Sequence, residues 1–259
     1  MCEQWRAAAL LTAAAELRES LNALHFEAPV THVYNPLHYA WNMYAAYVRR
    51  YVHGPIDALF VGMNPGPWGM AQTGIPFGEV GAVGGYLGLN APIMAATATH
   101  PRRPVQGLAC RRIEVSGLRL WGLIAQKFPS PEDFFARHFV ANYCPLMFLE
   151  ASGRNRTPAQ LSARERAPLQ QICDRHLQRM VDILSPNWVV GVGQYAHACN
   201  QRALGSQGFK LARITHPSPA SPAANRDWAA TVLQELAQQG VCQPDRFAVH
   251  TQNAENQIL

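Results

Sequence analysis

Polar and apolar positions along the chain follow two periods. Between residues 5 and 24, Leu10, Leu11, Leu17 and Leu21 fit a helical stripe, which predicts an amphipathic helix. "WNMYAAYVRRYV" (41–52) predicts a second, with aromatics on one face and Arg49 and Arg50 on the other. In 167–184, Leu169, Ile172, Cys173, Met180, Val181 and Leu184 fall on one face, a strong helical signal. Helices are also expected at 194–204 and 223–240, the last stopping at Gly240. Between them lie two short apolar runs, "DALFVGM" (57–63) and "NWVVGVG" (187–193), and "FKLARIT" (209–215), which reads as the next strand. Such apolar runs read as buried strands. "RHFVANYCPLMFL" (137–149) reads as another, interrupted near Pro145.

Strands that alternate with helices imply parallel pairing through helical crossovers. The expected fold class is therefore α/β, a three-layer α/β/α sandwich around a short, mostly parallel central sheet. In open sheets of this kind the ligand crevice lies beyond the carboxyl ends of the strands. Three loops follow such ends: 64–80, 150–166 and 216–225. The chain has no internal repeat and no clear linker, so one domain is expected over residues 1–240. The polar residues 241–259 read as a loosely held tail.

Composition narrows the partner. The 259 residues carry a net charge of +5, almost all of the positive part from arginine, with Lys127 and Lys210 the only lysines. A pI of about 9.0 suggests a polyanionic partner such as nucleic acid. The six cysteines form no C-x-x-C pair, so no zinc or iron–sulfur site is expected, and scattered thiols suit a reducing compartment. The apolar run after Arg6 faintly resembles a signal peptide, but Glu3 precedes it and its leucines fit the helical stripe better. No run reaches membrane-spanning length.

Loop 64–80 carries the most chemistry. Pro65 and Pro67 stiffen it, while Gly66, Gly69, Gly74 and Gly78 allow tight turns and remove side-chain bulk. Such a loop can bring bare N–H and C=O groups against a flat ligand. No Gly-Lys-Ser/Thr follows, so it is not a phosphate-binding loop, and its prolines forbid a G-x-G-x-x-G turn into a helix. Phe77 and Trp68 can each stack on a base or pack in the core. Glu79 is the loop's only carboxylate. The loop after 209–215 opens with His216, whose surroundings are fixed by Pro217, Pro219 and Pro222. An imidazole there can donate a hydrogen bond or carry charge near neutral pH.

"GMNPGPWGMAQTGIPFGEV", followed far downstream by "HPSPASPAANR", closely resembles the single-strand-selective monofunctional uracil-DNA glycosylases. "EVSGLRLWG" (114–122), "FVANYCPLMFL", "SGRNRTPAQL" and "VVGVG" also resemble that family, in the same order, and the likeness spans roughly residues 30–235. It implies the α/β/α sandwich of the uracil-DNA glycosylase superfamily. It also implies a monofunctional enzyme that excises uracil and C5-modified uracils such as 5-hydroxymethyluracil from single- and double-stranded DNA. By the resemblance Asn64 holds the attacking water, and His216 donates to the base O2 as negative charge grows there. Phe77 stacks on the flipped base and Asn142 reads its edge, with Met63, Gly66 and Met70 close by. Read from its residue type alone, Asn142 is a strand-end amide that caps backbone groups.

Neither lysine lies in a site loop, so strand cleavage through a Schiff base is not expected. Contacts to DNA are expected from the basic stretch His100, Arg102, Arg103, Arg111, Arg112 and Arg119, and from Arg154 and Arg156. Residues 216–226, including Ser218, Pro219, Ala220 and Arg226, would enter the duplex behind the flipped base. There the chain departs from vertebrate members, which have Arg where Ala220 stands; Arg226 or Arg213 is the candidate substitute. No metal or cofactor is expected, and the expected partner is DNA, met by a monomer in the cytoplasm or, in a eukaryote, the nucleus. The competing readings are a glycosylase for deaminated purines and a catalytically silent binder of damaged or single-stranded DNA.

Overall fold

The computed structural model describes residues 4–205 and 208–241, so nearly all of the expected polar tail lies outside the described residues. The first apolar stripe forms α1 (Gln4–Asn22), with Leu10, Leu17 and Leu21 buried. β1 (Val30–Tyr34), α2 (Pro36–Tyr39) and α3 (Trp41–Tyr51) follow. β2 (Ala58–Gly62) is buried at every position, as its unbroken apolar run requires. The long loop after it contains α4 (Met70–Thr73) and runs into α5 (Val80–Gly84). Then come α6 (Val115–Lys127), α7 (Pro131–Phe135), β3 (His138–Asn142), β4 (Met147–Glu150) and the two-residue β5 (Asn155–Arg156). α8 (Ala163–Leu184), β6 (Trp188–Val192), α9 (Gln194–Leu204), β7 (Lys210–Ile214) and α10 (Trp228–Gln238) complete the order.

β3, β2, β6 and β7 lie side by side in that order, all parallel. The connection leaving β2 runs to β3 on one side, while the connection leaving β6 runs to β7 on the other. Right-handed crossovers then place α6 and α7 on one face of the sheet and α8 and α9 on the other. The packing agrees, with α8 against α9 and α10 against α6. The sheet therefore switches direction between β2 and β6, and a crevice opens beyond their carboxyl ends.

Three details differ from the sequence reading. The run 137–149 splits between two sheets. Tyr143 and Cys144 still donate to the carbonyls of Gly62 and Met63, but Pro145 follows, and β4 joins β1 and β5 in a separate antiparallel sheet. α8 begins four residues early, because Ser162 and Glu165 form a reciprocal capping box ahead of Pro168. The stretch expected as one helix from 223 breaks into a 3-10 turn, Pro222–Asn225, and α10, which Asp227 caps at the Ala230 N–H. Among the described residues no helix is long and apolar enough to cross a membrane.

Burial pushes the imidazoles of His138, His176 and His216 down to about 4. Unfolding returns each to its ordinary range near 6.5, so between these values the unfolded chain binds more protons. Stability must fall as pH drops through this window, by up to about 1.4 kcal/mol per pH unit for each histidine. Denaturant titrations at pH 7.5, 6 and 5 should show the decline, and His176→Asn should remove about a third of the steepness that these three groups supply. A flat profile over that range contradicts the burial argument.

Candidate active site

The loop after β2 is irregular but densely bonded. Gln72, fully buried, donates through Nε2 to the carbonyls of Pro67 (2.8 Å) and Pro104 (3.0 Å), and its Oε1 accepts from the Gln106 N–H (2.7 Å). Buried Thr73 donates to the Gly78 carbonyl (2.9 Å) and accepts from the Ile75 N–H (3.2 Å). One buried amide and one buried hydroxyl thus satisfy the turns that the prolines and glycines impose. Phe77 holds φ at +55°, a conformation that costs a bulky residue energy and persists only where its surroundings enforce it. α6 provides that enforcement, because a Cβ on Gly117 would lie 2.1 Å from the Phe77 carbonyl oxygen.

The side chains of three strand ends meet under this loop. Gly62 ends β2 directly opposite Asn142, the last residue of β3. A Cβ on Gly62 would stand 2.3 Å from Asn142 Oδ1 and 2.5 Å from Phe77 Cε2, so the missing side chain is the space in which the two converge. Asn142 Nδ2 lies 3.1 Å from Met70 Sδ, while its Oδ1 is buried without a hydrogen-bond partner. The Phe77 ring centre is 6.1 Å from that of His216, the planes inclined at 43°. His216 stands two residues past β7, over Gly193 at the end of β6, where a Cβ would come within 3.0 Å of the His216 Cβ.

Asn64, two residues past β2, donates from Nδ2 to the Leu146 carbonyl (3.1 Å). A carbonyl only accepts, so this bond fixes which way the amide faces and leaves Oδ1 as a free acceptor. Met63 accepts from the Cys144 N–H.

The electrostatics of His216 follow from its neighbours. Its Nδ1 accepts from the Ser218 N–H (3.0 Å), so the neutral ring carries its proton on Nε2. Burial holds the ring neutral by depressing its pKa to about 4. Arg119 donates to the Pro217 carbonyl (2.8 Å), and Trp228 donates to that of Thr215 (2.8 Å), fixing the loop on both sides. The imidazole is therefore a positioned hydrogen-bond donor rather than a proton reservoir.

Several expected contacts are placed differently. His100 is buried with Nε2 3.0 Å from the Ala151 carbonyl, Arg119 holds the His216 loop, and Arg156 pairs with Glu150 (2.8 Å). Of the cations expected to meet DNA, His100, Arg119 and Arg156 are thus also engaged within the fold. Arg213 is bonded to Gln194 of α9, while Arg226 is exposed and lines an open groove with Leu118 and Trp228. Arg112 and Arg154 are exposed, as are Pro219 and Ala220, and Ser218 Oγ accepts from the Ala220 N–H (3.2 Å). Glu79 is buried and caps α5 by accepting from the Ala82 N–H (2.9 Å).

Glu114 was not singled out from the sequence. It fills the space that side chains at Gly66 and Gly69 would occupy, with a Gly66 Cβ meeting its Oε2 at 2.4 Å, and it accepts from the Trp68 N–H (3.3 Å). Burial raises its pKa. The available signal was a single carboxylate before the apolar start of α6, opposite a loop rich in bare backbone. Among the described residues no cluster of His, Cys, Asp and Glu could hold a metal.

This chain belongs to the uracil-DNA glycosylase superfamily: the family model described as Uracil DNA glycosylase superfamily matches residues 52–237. A Mus musculus single-strand selective monofunctional uracil DNA glycosylase is 45% identical over 242 residues, 93% of this chain and 87% of its own. The Bos taurus protein of the same description is 47% identical over 227 residues, 87% of this chain and 84% of its own. Within the superfamily the chain thus falls in the single-strand selective monofunctional family. The crystal structure of wild-type Pedobacter heparinus SMUG2 superposes with a TM-score of 0.55 at 17% identity, over 79% of this chain and 87% of that one, a likeness of fold alone.

The pocket depends on the absence of one methyl group. Gly62→Ala puts a carbon inside contact distance of Asn142 and Phe77 in the middle of the sheet. Overpacking of this kind costs about 1–3 kcal/mol, which chemical denaturation would measure. An unchanged midpoint would mean that Phe77 and Asn142 separate freely.

Proposed function

We propose that this chain removes uracil from DNA by hydrolysing the bond between the base and deoxyribose, leaving an abasic site. The observation that carries the reading is the buried, unpartnered Oδ1 of Asn142, opposite Gly62 and beside Phe77. A base taken out of the stack and laid on Phe77 would present its Watson–Crick edge to this amide. The imide N3–H of uracil donates to Oδ1, and O4 accepts from Nδ2. Cytosine presents the opposite pattern, so an amide fixed in this orientation disfavours it.

Heterolysis leaves negative charge on the base and positive charge on the sugar. The Nε2–H of His216 is proposed to donate to O2 as that charge develops. Asn64 Oδ1 would accept from the water that attacks C1′. A neutral amide takes no proton from that water, so Asn64 orients and does not act as a base. As the C1′–O bond forms, the water's proton ends on the departing base, which carries the electron pair of the broken C1′–N bond. Two placements support a reaction without strand cleavage. Lys210 opens β7 at the end opposite His216, and Lys127 ends α6, whose first turn faces the loop. Both amines are thus remote from the pocket.

The wider range, C5-modified uracils and double-stranded substrates, belongs to the same proposal. A panel of oligonucleotides bearing uracil, 5-hydroxymethyluracil or hypoxanthine, single- and double-stranded and without added metal, tests it. Release of uracil and 5-hydroxymethyluracil is expected, with less hypoxanthine, whose N1–H and O6 offer the amide the same pattern but whose second ring needs more room. Preferential release of hypoxanthine overturns the pyrimidine reading, and no release from any substrate overturns the enzyme reading. Because Ala220 cannot fill the gap that the flipped nucleotide leaves, the rate on duplex is expected to fall below that on single strands.

A further inference from the structure

Trp68, four residues past Asn64, is half-buried, and its indole is not a free surface. The guanidinium carbons of Arg103 and Arg112 lie over it, 5.2 and 5.4 Å from the ring centre. Two like charges from one stretch of the chain are thus held over a ring from another. Among the described residues neither arginine forms an ion pair. Arg103 Nε is in addition buried without a hydrogen-bond partner, and its Nη1 bonds only the neighbouring Arg102 carbonyl (3.1 Å).

The arrangement is held from below. Gln72 joins the carbonyl of Pro67, next to Trp68, to that of Pro104, next to Arg103. The Arg103 carbonyl accepts from the Tyr34 hydroxyl (2.8 Å). Glu114, two residues past Arg112, accepts from the Trp68 N–H. Each arginine therefore sits within two residues of an anchor that also fixes the loop around Trp68. Two cations supported by one ring and lacking a carboxylate leave unsatisfied donors that suit an anion with several acceptor oxygens.

We propose that Arg103 and Arg112, positioned by Trp68, form a clamp for one backbone phosphate of single-stranded DNA flanking the nucleotide in the pocket. Trp68 acts here as a support for the two guanidinium groups and not as a stacking surface for a base. The clamp rests on the reading of this chain as an enzyme that acts on DNA, yet it can be tested apart from excision.

The probe is a single-stranded oligonucleotide with no lesion, its affinity followed by fluorescence anisotropy from 50 to 300 mM salt. The variant R103Q/R112Q should lower the slope of log K against log salt by about 0.7, the contribution of one phosphate on a single strand. R164Q/R175Q removes equal charge from exposed positions of α8 and should leave the slope unchanged. Trp68→Leu keeps both charges and should weaken binding about fivefold through lost cation–π support, while Trp68→Phe stays near the wild-type affinity. An unchanged slope for R103Q/R112Q, an equal drop for the α8 variant, or wild-type affinity for Trp68→Leu each overturns the clamp. If the slope falls as expected and no uracil is released, the clamp stands and the glycosylase reading fails.

Discussion

Replacing His216 by alanine should lower single-turnover release of uracil by about 10²–10³, the usual cost of one preorganised donor to a developing anion. The fold should survive, because the loop is held independently through Arg119 to Pro217 and Trp228 to Thr215. The pH dependence separates this mechanism from proton transfer. With Nδ1 occupied by the Ser218 N–H and the pKa near 4, the ring stays neutral and presents Nε2–H throughout the neutral range. The rate should therefore show no inflection near 6.5 and remain flat down to about pH 5. An imidazolium acid with an ordinary pKa would instead gain activity as pH falls through 6.5. A rise of that kind, absent in His216→Ala, would refute the neutral-donor mechanism, and near-normal rates in His216→Ala would remove the residue from catalysis.

The parallel sheet was readable because β2 and β6 are buried on both faces and so appear as apolar runs, while the edge strand β7 still buries Ala212 and Ile214 between its exposed Lys210 and Arg213. The antiparallel sheet was not, since β1 sets Thr31 and His32 among its apolar residues and β5 is only two residues long. Loop 64–80 and His216 could be found as strand-end features, and their proposed roles came from the likeness of two motifs. What bound the parts together was hidden in residues with little or no side chain. Gly62, Gly117 and Gly193 each admit a neighbour that a Cβ would displace, and no sequence pattern says which neighbour that is. The basic stretch was legible only as charge. Charge composition marks arginines without saying which are already engaged, and Arg119 and Arg156 are used inside the fold.

Asn64→Ala should reduce excision as severely as loss of His216, by about 10²-fold or more, because the attacking water then has no fixed position along the breaking bond. In the proposed mechanism the amide's role is directional. Its Nδ2 is committed to the Leu146 carbonyl, and Oδ1 is left to accept from the water. Asn64→Asp sharpens the test. The carboxylate loses the bond to Leu146 and sets two acceptors against each other, so a residue that merely orients water should be impaired by the change despite the gain of a proton acceptor. Wild-type or faster rates in Asn64→Asp would mean that proton abstraction, not orientation, limits the step. Glu79, the one other carboxylate candidate in the loop, provides the control. Its Oε2 accepts from the Ala82 N–H at the start of α5, a bond that glutamine can also make, so Glu79→Gln should change the rate less than threefold. A loss in Glu79→Gln comparable to that in Asn64→Ala would transfer the water-activating role from the amide to the buried carboxylate.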